Sequence, residues 1–276
     1  MTTIDDPRVD PARWQRVYEA GCAVPAGADL PALVDELAAA LRDPDPAVRD
    51  GYPYVVLRTW IERDVVDGPL RARLGTVMAG RFEDPEIQAR TFAPLVLDMI
   101  VRRGDLDPAW TAAFRRWYPA EEDLRGHDPA LGWLHAVAHG ADLLGTFGLH
   151  PQVPPADMPA VAAARLLAPT DQLFAQQEDD RLAQAVARCL TRPDLTEAEA
   201  TGWLDPLEAH FAAGRPPGVP TTAAHTSNAM RTLRMLYLLA DLGVRLHRGG
   251  PRVPLRHPAA VKRRVAEVLE PAFQAY

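Results

Sequence analysis

The stretch GWLHAVAHGADLL, Gly132 to Leu144, carries two histidines four residues apart and an aspartate three further on, inside an otherwise apolar segment. On a helix turning by about 100° per residue, His135, His139 and Asp142 share one narrow face. Asp128 and Gly132 fall on that face as well, with Trp133, Val137 and Leu144 opposite. Imidazoles and a carboxylate in such a stripe serve three chemistries. The first is metal binding, because histidines at i and i+4 of a helix can reach one divalent ion: zinc, iron or manganese. At 1.5 Å rise per residue His135 and Asp142 lie about 10 Å apart, too far to share that ion. The third ligand must then come from another helix. Glu178 or Asp180 in QEDDRLAQAV supplies it best, giving a set of His135, His139 and Glu178 with Asp142 orienting His139. Ala136 stands where His-Glu-x-x-His enzymes carry their glutamate, so that general base is missing. The second chemistry is an internal polar network, since buried polar groups need partners. The third is direct binding of an organic or anionic ligand.

The elements that position these residues are punctuated by proline. Of 27 prolines, many follow aspartate: Asp10-Pro11, Asp43-Pro44, Asp45-Pro46, Asp84-Pro85, Asp107-Pro108, Asp128-Pro129 and Asp205-Pro206. Aspartate caps free N–H groups at a helix start, and proline at the first helical position loses no hydrogen bond. Segments rich in alanine, leucine and arginine with three- and four-residue apolar spacing follow most of these dipeptides, and alternating valine-rich strands are missing. The spacing predicts helices over residues 30–41, 47–63, 70–82, 87–103, 108–117, through the histidine motif, 158–167, 178–190, 227–246 and 259–275.

An internal repeat supports pairing of these helices. DPDPAVRDGYPYVV, from Asp43, aligns with DPEIQARTFAPLVL, from Asp84, so that aspartate, proline, Arg49 with Arg90, Pro53 with Pro94 and Val55 with Val96 all match at an offset of 41 residues. Two helices per unit at a period of roughly 40 to 47 residues is the HEAT/armadillo signature. The expectation is an all-α, HEAT/armadillo-like α-α superhelix of about five to six helix pairs. It forms one domain over residues 1–276: a cap over 1–28, the array over 29–246, and a C-terminal loop and capping helix over 247–276.

The chain also resembles a bacterial family known as domain of unknown function 2785, through LRDPDPAVRDGYPY, QARTFAPLVL, EEDLRGHDPALGWLHAVAHGADLL, EDDRLAQAV and NAMRTLRMLYLL. The resemblance implies an α-helical superhelix and brings no activity with it.

In HEAT-like arrays the second helices of successive units line the concave side, and equivalent positions fall side by side. That layer would bring Arg49 and Asp50, Arg90, His135 and His139, Asp142, Glu178 and Arg181, with Asn228 and Arg231 beyond, onto one groove. Guanidiniums and imidazoles there could hold a carboxylate, a phosphate or an acidic peptide. Arg49 and Arg90 also sit where such repeats place an arginine that bonds a neighbouring unit.

Composition bounds the rest. A 47% apolar and 24% charged chain is globular, and no apolar run approaches the ~18 residues of a bilayer crossing. The acidic start and two scattered cysteines fit a cytoplasmic protein with neither a disulfide framework nor a zinc finger. A net charge of −7 argues against nucleic acid. The reading is a helical repeat protein that binds a protein or small-molecule partner, with a metal-dependent hydrolase or lyase at His135 and His139 as the alternative.

Overall fold

The computed structural model describes residues 10–214, 221–247 and 249–275, leaving the start of the expected N-terminal cap, most of the GRPPGVPTT loop and Arg248 outside the described residues. The chain is mainly α-helical and packs as two compact units. One runs to Trp110 and includes His127–Leu134, and the other comprises Thr111–Gly126 and His135 onward.

The first unit holds α1 (Pro11–Glu19), α2 (Leu30–Ala40), α3 (Pro46–Arg49), α4 (Tyr52–Glu62), α5 (Gly68–Gly80), a 3-10 turn (Arg81–Glu83) and α6 (Ile87–Arg102). Within it, α4 packs against α1, α2 and α6, and α5 against α6. Trp14, Leu37, Leu57, Trp60, Val96 and Ile100 are fully buried between these helices. A single helix was expected over 47–63. The chain instead breaks at Asp50-Gly51, where a Cβ on Gly51 would lie 2.8 Å from the Ala47 carbonyl oxygen and Pro53 has no N–H to carry the ladder across.

Asp-Pro dipeptides act as expected at several starts. Asp10 and Asp45 accept from the N–H two residues on and cap α1 and α3. At Asp128-Pro129 the same local bonds, from the Ala130 and Leu131 N–H groups, close a hairpin turn. There β1 (His127–Asp128) pairs antiparallel with β2 (Gly132–Trp133). Gly132 adopts φ +70, a value that suits glycine at the turn's exit.

Arg49 and Arg90, 41 residues apart, make similar backbone bonds. Arg49 Nη1 donates to the carbonyls of Asp43 and Pro44 at 3.1 and 3.4 Å, and Arg90 Nη1 to those of Asp84 and Pro85 at 2.8 and 3.0 Å. Each arginine thus ties its own helix to the backbone of the turn that precedes it.

The second unit takes up α7 (Pro108–Ala120) from Thr111, then α8 (Ala136–Leu149), α9 (Asp157–Leu167), α10 (Glu178–Cys189), α11 (Glu197–Gly202), α12 (Asp205–Ala213), α13 (Ala224–Leu242) and α14 (Pro258–Ala275). A second small hairpin, β3 (Val244–Arg245) with β4 (Arg252–Val253), ends α13 four residues before the expected 246. Gly243, at φ +70, makes that turn. α10 lies between α8 and α13, and α14 packs on α13, α12 and α11. Small residues let α8 and α10 approach closely: a Cβ on Gly148 would fall 2.1 Å from Cys189 Sγ. No helix among the described residues is long and apolar enough to cross a membrane.

Candidate functional site

The histidine motif is not one helix. α8 starts at Ala136, and His135 is its N-cap in the left-handed region, φ 52 and ψ 41. Gly132 and Trp133 belong to β2, so the expected stripe of Asp128, Gly132 and His135 does not form. Trp133, expected on the apolar side, is 47% exposed and meets the His127 ring edge-on. The cause is tertiary. The His135 N–H reaches the carbonyls of Arg125 and Gly126 at 3.2 and 3.3 Å, which a helical backbone at that point would forbid. A left-handed non-glycine residue costs roughly 1–3 kcal/mol, so these contacts must over-determine it.

Gln177, the N-cap of α10, repeats the feature at φ 65. The first of these caps lies against the first turn of α10: His135 Nδ1 is 3.4 Å from Glu178 Oε1. Gly126 closes the same junction, since a Cβ there would lie 2.5 Å from Gln176 Oε1 and 2.7 Å from Glu178 Oε1. Glu178 is 2% exposed. Burial pushes its carboxyl up, but the bond from His135 and the backbone N–H groups of Glu178 and Gln176 outweigh that and hold it below the ordinary glutamate range. The Gln176 N–H donates to its Oε2 at 2.8 Å. Three acids, Glu178, Asp179 and Asp180, occupy the first turn of α10, where the helix dipole favours negative charge.

Asp142, expected to orient His139, pairs with Arg181 on α10. Asp179, which the sequence reading passed over in favour of its neighbours, pairs with Arg231 on α13 at 2.7 Å. Burial raises the Asp179 carboxyl, opposed by the Arg231 charge. Asn228 on the same helix accepts from the Phe174 N–H and donates to the Gln172 carbonyl, fixing the segment that leads into α10. The result is a row across α8, α10 and α13: His135 with Glu178, Asp142 with Arg181, Asp179 with Arg231. Its carboxylates sit deeper than its guanidiniums. Arg181 and Arg231 side chains are 39% and 45% exposed, against 31% for Asp142 and 4% for Asp179.

α8 is anchored for this purpose by α7. Tyr118 donates its phenol proton to the Val137 carbonyl at 2.8 Å, and its ring lies where a Gly140 side chain would begin, 2.2 Å from an ideal Cβ. His139 is buried one turn into α8, its ring centroid 5.6 Å from that of His135. Among the described residues no three His, Cys, Asp or Glu side chains are grouped to hold a metal ion. The expected set of His135, His139 and Glu178 does not form such a group.

Of the remaining expected groove residues, Arg49, Asp50 and Arg90 all belong to the first unit. Arg49 is fully buried. Its Nε bonds Asp50 at 2.8 Å, Nη2 bonds the Leu131 carbonyl of the hairpin, and the guanidinium stacks on Phe92. Burial raises the Asp50 carboxyl and the Arg49 charge pulls it back. Arg49 and Arg90 both donate to backbone carbonyls.

A family described as "Protein of unknown function (DUF2785)" matches residues 78–238, more than half of the chain. The chain belongs to this family. The DUF2785 stretch contains the whole row from His135 to Arg231 and leaves Arg49 and Asp50 outside it. No curated protein and no solved structure matches the chain.

Proposed function

We propose that this protein is a HEAT-like helical-repeat protein that recognises an anionic partner or small anionic ligand with the charged row on α8, α10 and α13. The repeat reading is supported by the identical carbonyl bonds of Arg49 and Arg90. Left-handed residues, Cys22 after α1, Asp64 after α4 and Gly104 after α6, recur at a similar interval. Contacts between helices keep the same spacing: Trp60 Nε1 donates to the Cys22 carbonyl and Arg103 pairs with Asp64.

One observation carries the binding reading. Asp179 and Asp142 are less exposed than the Arg231 and Arg181 they pair with, so each carboxylate orients a guanidinium whose side chain stays partly open to solvent. An oriented guanidinium with free donors is a carboxylate or phosphate receptor, bidentate by geometry. A purely structural ion pair needs no such layering.

Citrate and a hexaglutamate peptide, titrated calorimetrically at low salt, test it. At least one should bind saturably and weaken as salt rises, and the double variant Arg181→Gln/Arg231→Gln should lose roughly tenfold or more in affinity. If neither anion binds the folded protein, or the double variant binds as tightly as wild type, the reading fails.

A further inference from the structure

Beyond the charged row, α13 continues along the same helical stripe: Arg231, Met235, Leu238 and Leu242 follow at spacings of four, three and four. Leu238 and Leu242 are 47% and 48% exposed, which burial in this fold does not require. They wall a cavity of about 320 Å³ with Met235 and Val244, and Arg245 and Arg252 line it from the β3–β4 hairpin. That volume sits at the small-molecule end of ligand pockets, too small for a docked helix.

The hairpin contains an electrostatic conflict. Arg245 and Arg252 are directly opposite each other in the antiparallel register. Like charges at facing positions destabilise a strand pair. Each guanidinium gives a bond to a carbonyl, Arg245 to Gly250 and Arg252 to Gly243, the latter at 2.7 Å. Among the described residues no carboxylate pairs with either of them. Two facing cations at the edge of an apolar hollow are relieved by an anion seated between them. A guanidinium retains donors for a carboxylate after giving one to a carbonyl.

We propose that this groove binds a small amphipathic carboxylate, its apolar chain laid over Met235, Leu238 and Leu242 and its head held between Arg245 and Arg252. The charge complementarity of the arginine pair selects the head, and the exposed leucines select the tail. The site adjoins the charged row but does not depend on it.

Decanoate is the probe, followed by calorimetry and by the shift in thermal midpoint, with decanol and butyrate as controls. Decanoate should bind saturably at one site per chain and raise the midpoint. Decanol, lacking the charge, and butyrate, lacking the chain, should each bind at least roughly tenfold more weakly. Leu238→Glu, a change at an exposed position, should abolish binding by setting a carboxylate against the ligand's own. Arg252→Ala should weaken it roughly tenfold. Because Arg252 also ties the hairpin to Gly243, Leu242→Gln serves as a second variant that leaves that bond intact, and it too should weaken binding. Absence of saturable binding to the wild-type protein overturns the proposal, as does binding that Leu238→Glu and Leu242→Gln leave unchanged. If sedimentation shows a wild-type dimer that Leu238→Glu dissociates while decanoate has no effect, the groove is an interface between copies and the proposal is wrong. These outcomes bear on the groove alone, since citrate, which reports on Arg181 and Arg231, has no apolar body to fill it.

Discussion

Arg49 in the first unit and Arg181 in the second are the same side chain put to opposite uses. Arg49 is sealed from solvent, and its donors go to the carbonyls of Asp43, Pro44 and Leu131 and to Asp50. Arg181 rests on one carboxylate and keeps 39% of its side chain exposed. The surroundings decide the role. The turn before α3 and the β1–β2 hairpin present several carbonyls close together, and a guanidinium has enough donors to serve them all. Where the local acceptor is a single half-buried aspartate, donors remain for something else.

The widest separation between the two roles comes from removing the buried arginine. Arg49→Met strips acceptors of their donor and leaves Asp50 uncompensated, and should cost about 3–5 kcal/mol, read by urea unfolding. Were Arg49→Met to leave the unfolding midpoint unchanged, the buried arginine would not be the staple described.

Glu178 tests whether the start of the row is structural support. Glu178→Gln should cost about 1.5–3 kcal/mol, the range for hydrogen bonds to a charged group. The sign with pH follows from its lowered carboxyl: the stabilisation is complete above the ordinary value of 4.5 and is lost as pH falls through the folded value. Wild type should therefore lose stability at acid pH more steeply than the glutamine variant. Asp179 beside it is raised, so its contribution runs the other way, present at low pH and fading as pH rises through its folded value. Asp179→Asn should sharpen the acid loss, measured by the same titration.

Close packing offers a matched pair, one glycine in each unit. Gly75→Ala drives a Cβ to 2.4 Å from the Trp110 ring, and Gly140→Ala to 2.2 Å from that of Tyr118. Each should cost about 1–3 kcal/mol through overpacking. Only Gly140→Ala should also weaken anion binding at the row, because it shifts the start of α8. Equal effects of both variants on binding would show that the row does not depend on how α8 is seated.

The smallest stability change is expected where function is proposed. Arg181→Gln should cost under ~1 kcal/mol, as half-exposed ion pairs do, while lowering citrate affinity. A large loss of stability would move Arg181 into the class of Arg49 and remove the contrast.

Much of this fold was legible in the chain. α2, α6, α10 and α14 begin within a residue of where apolar spacing put them, because caps and the 3.6-residue period are local matters. Arg49 and Arg90, aligned by the 41-residue offset and expected to bond a neighbouring unit, each bond the turn before their own helix. The histidine motif was misread for the opposite reason. Nothing near His135 in sequence demands a left-handed backbone; the Arg125 and Gly126 carbonyls and the buried Glu178, 43 residues on, demand it.

Asp128-Pro129 makes the same point. Its bonds to Ala130 and Leu131 are those of a helix cap, and the chain alone could not choose between helix and hairpin. Arg49, 82 residues away, sets the outcome by taking the Leu131 carbonyl. The sequence by itself determined a mainly helical chain and many of its helix starts, since those depend on side chains bonding their own backbone a few residues off. Which aspartate meets which arginine, where the first turn of α8 begins, and which arginines keep a face to solvent were decided only by tertiary packing, since each depends on groups that the fold brings together from different elements.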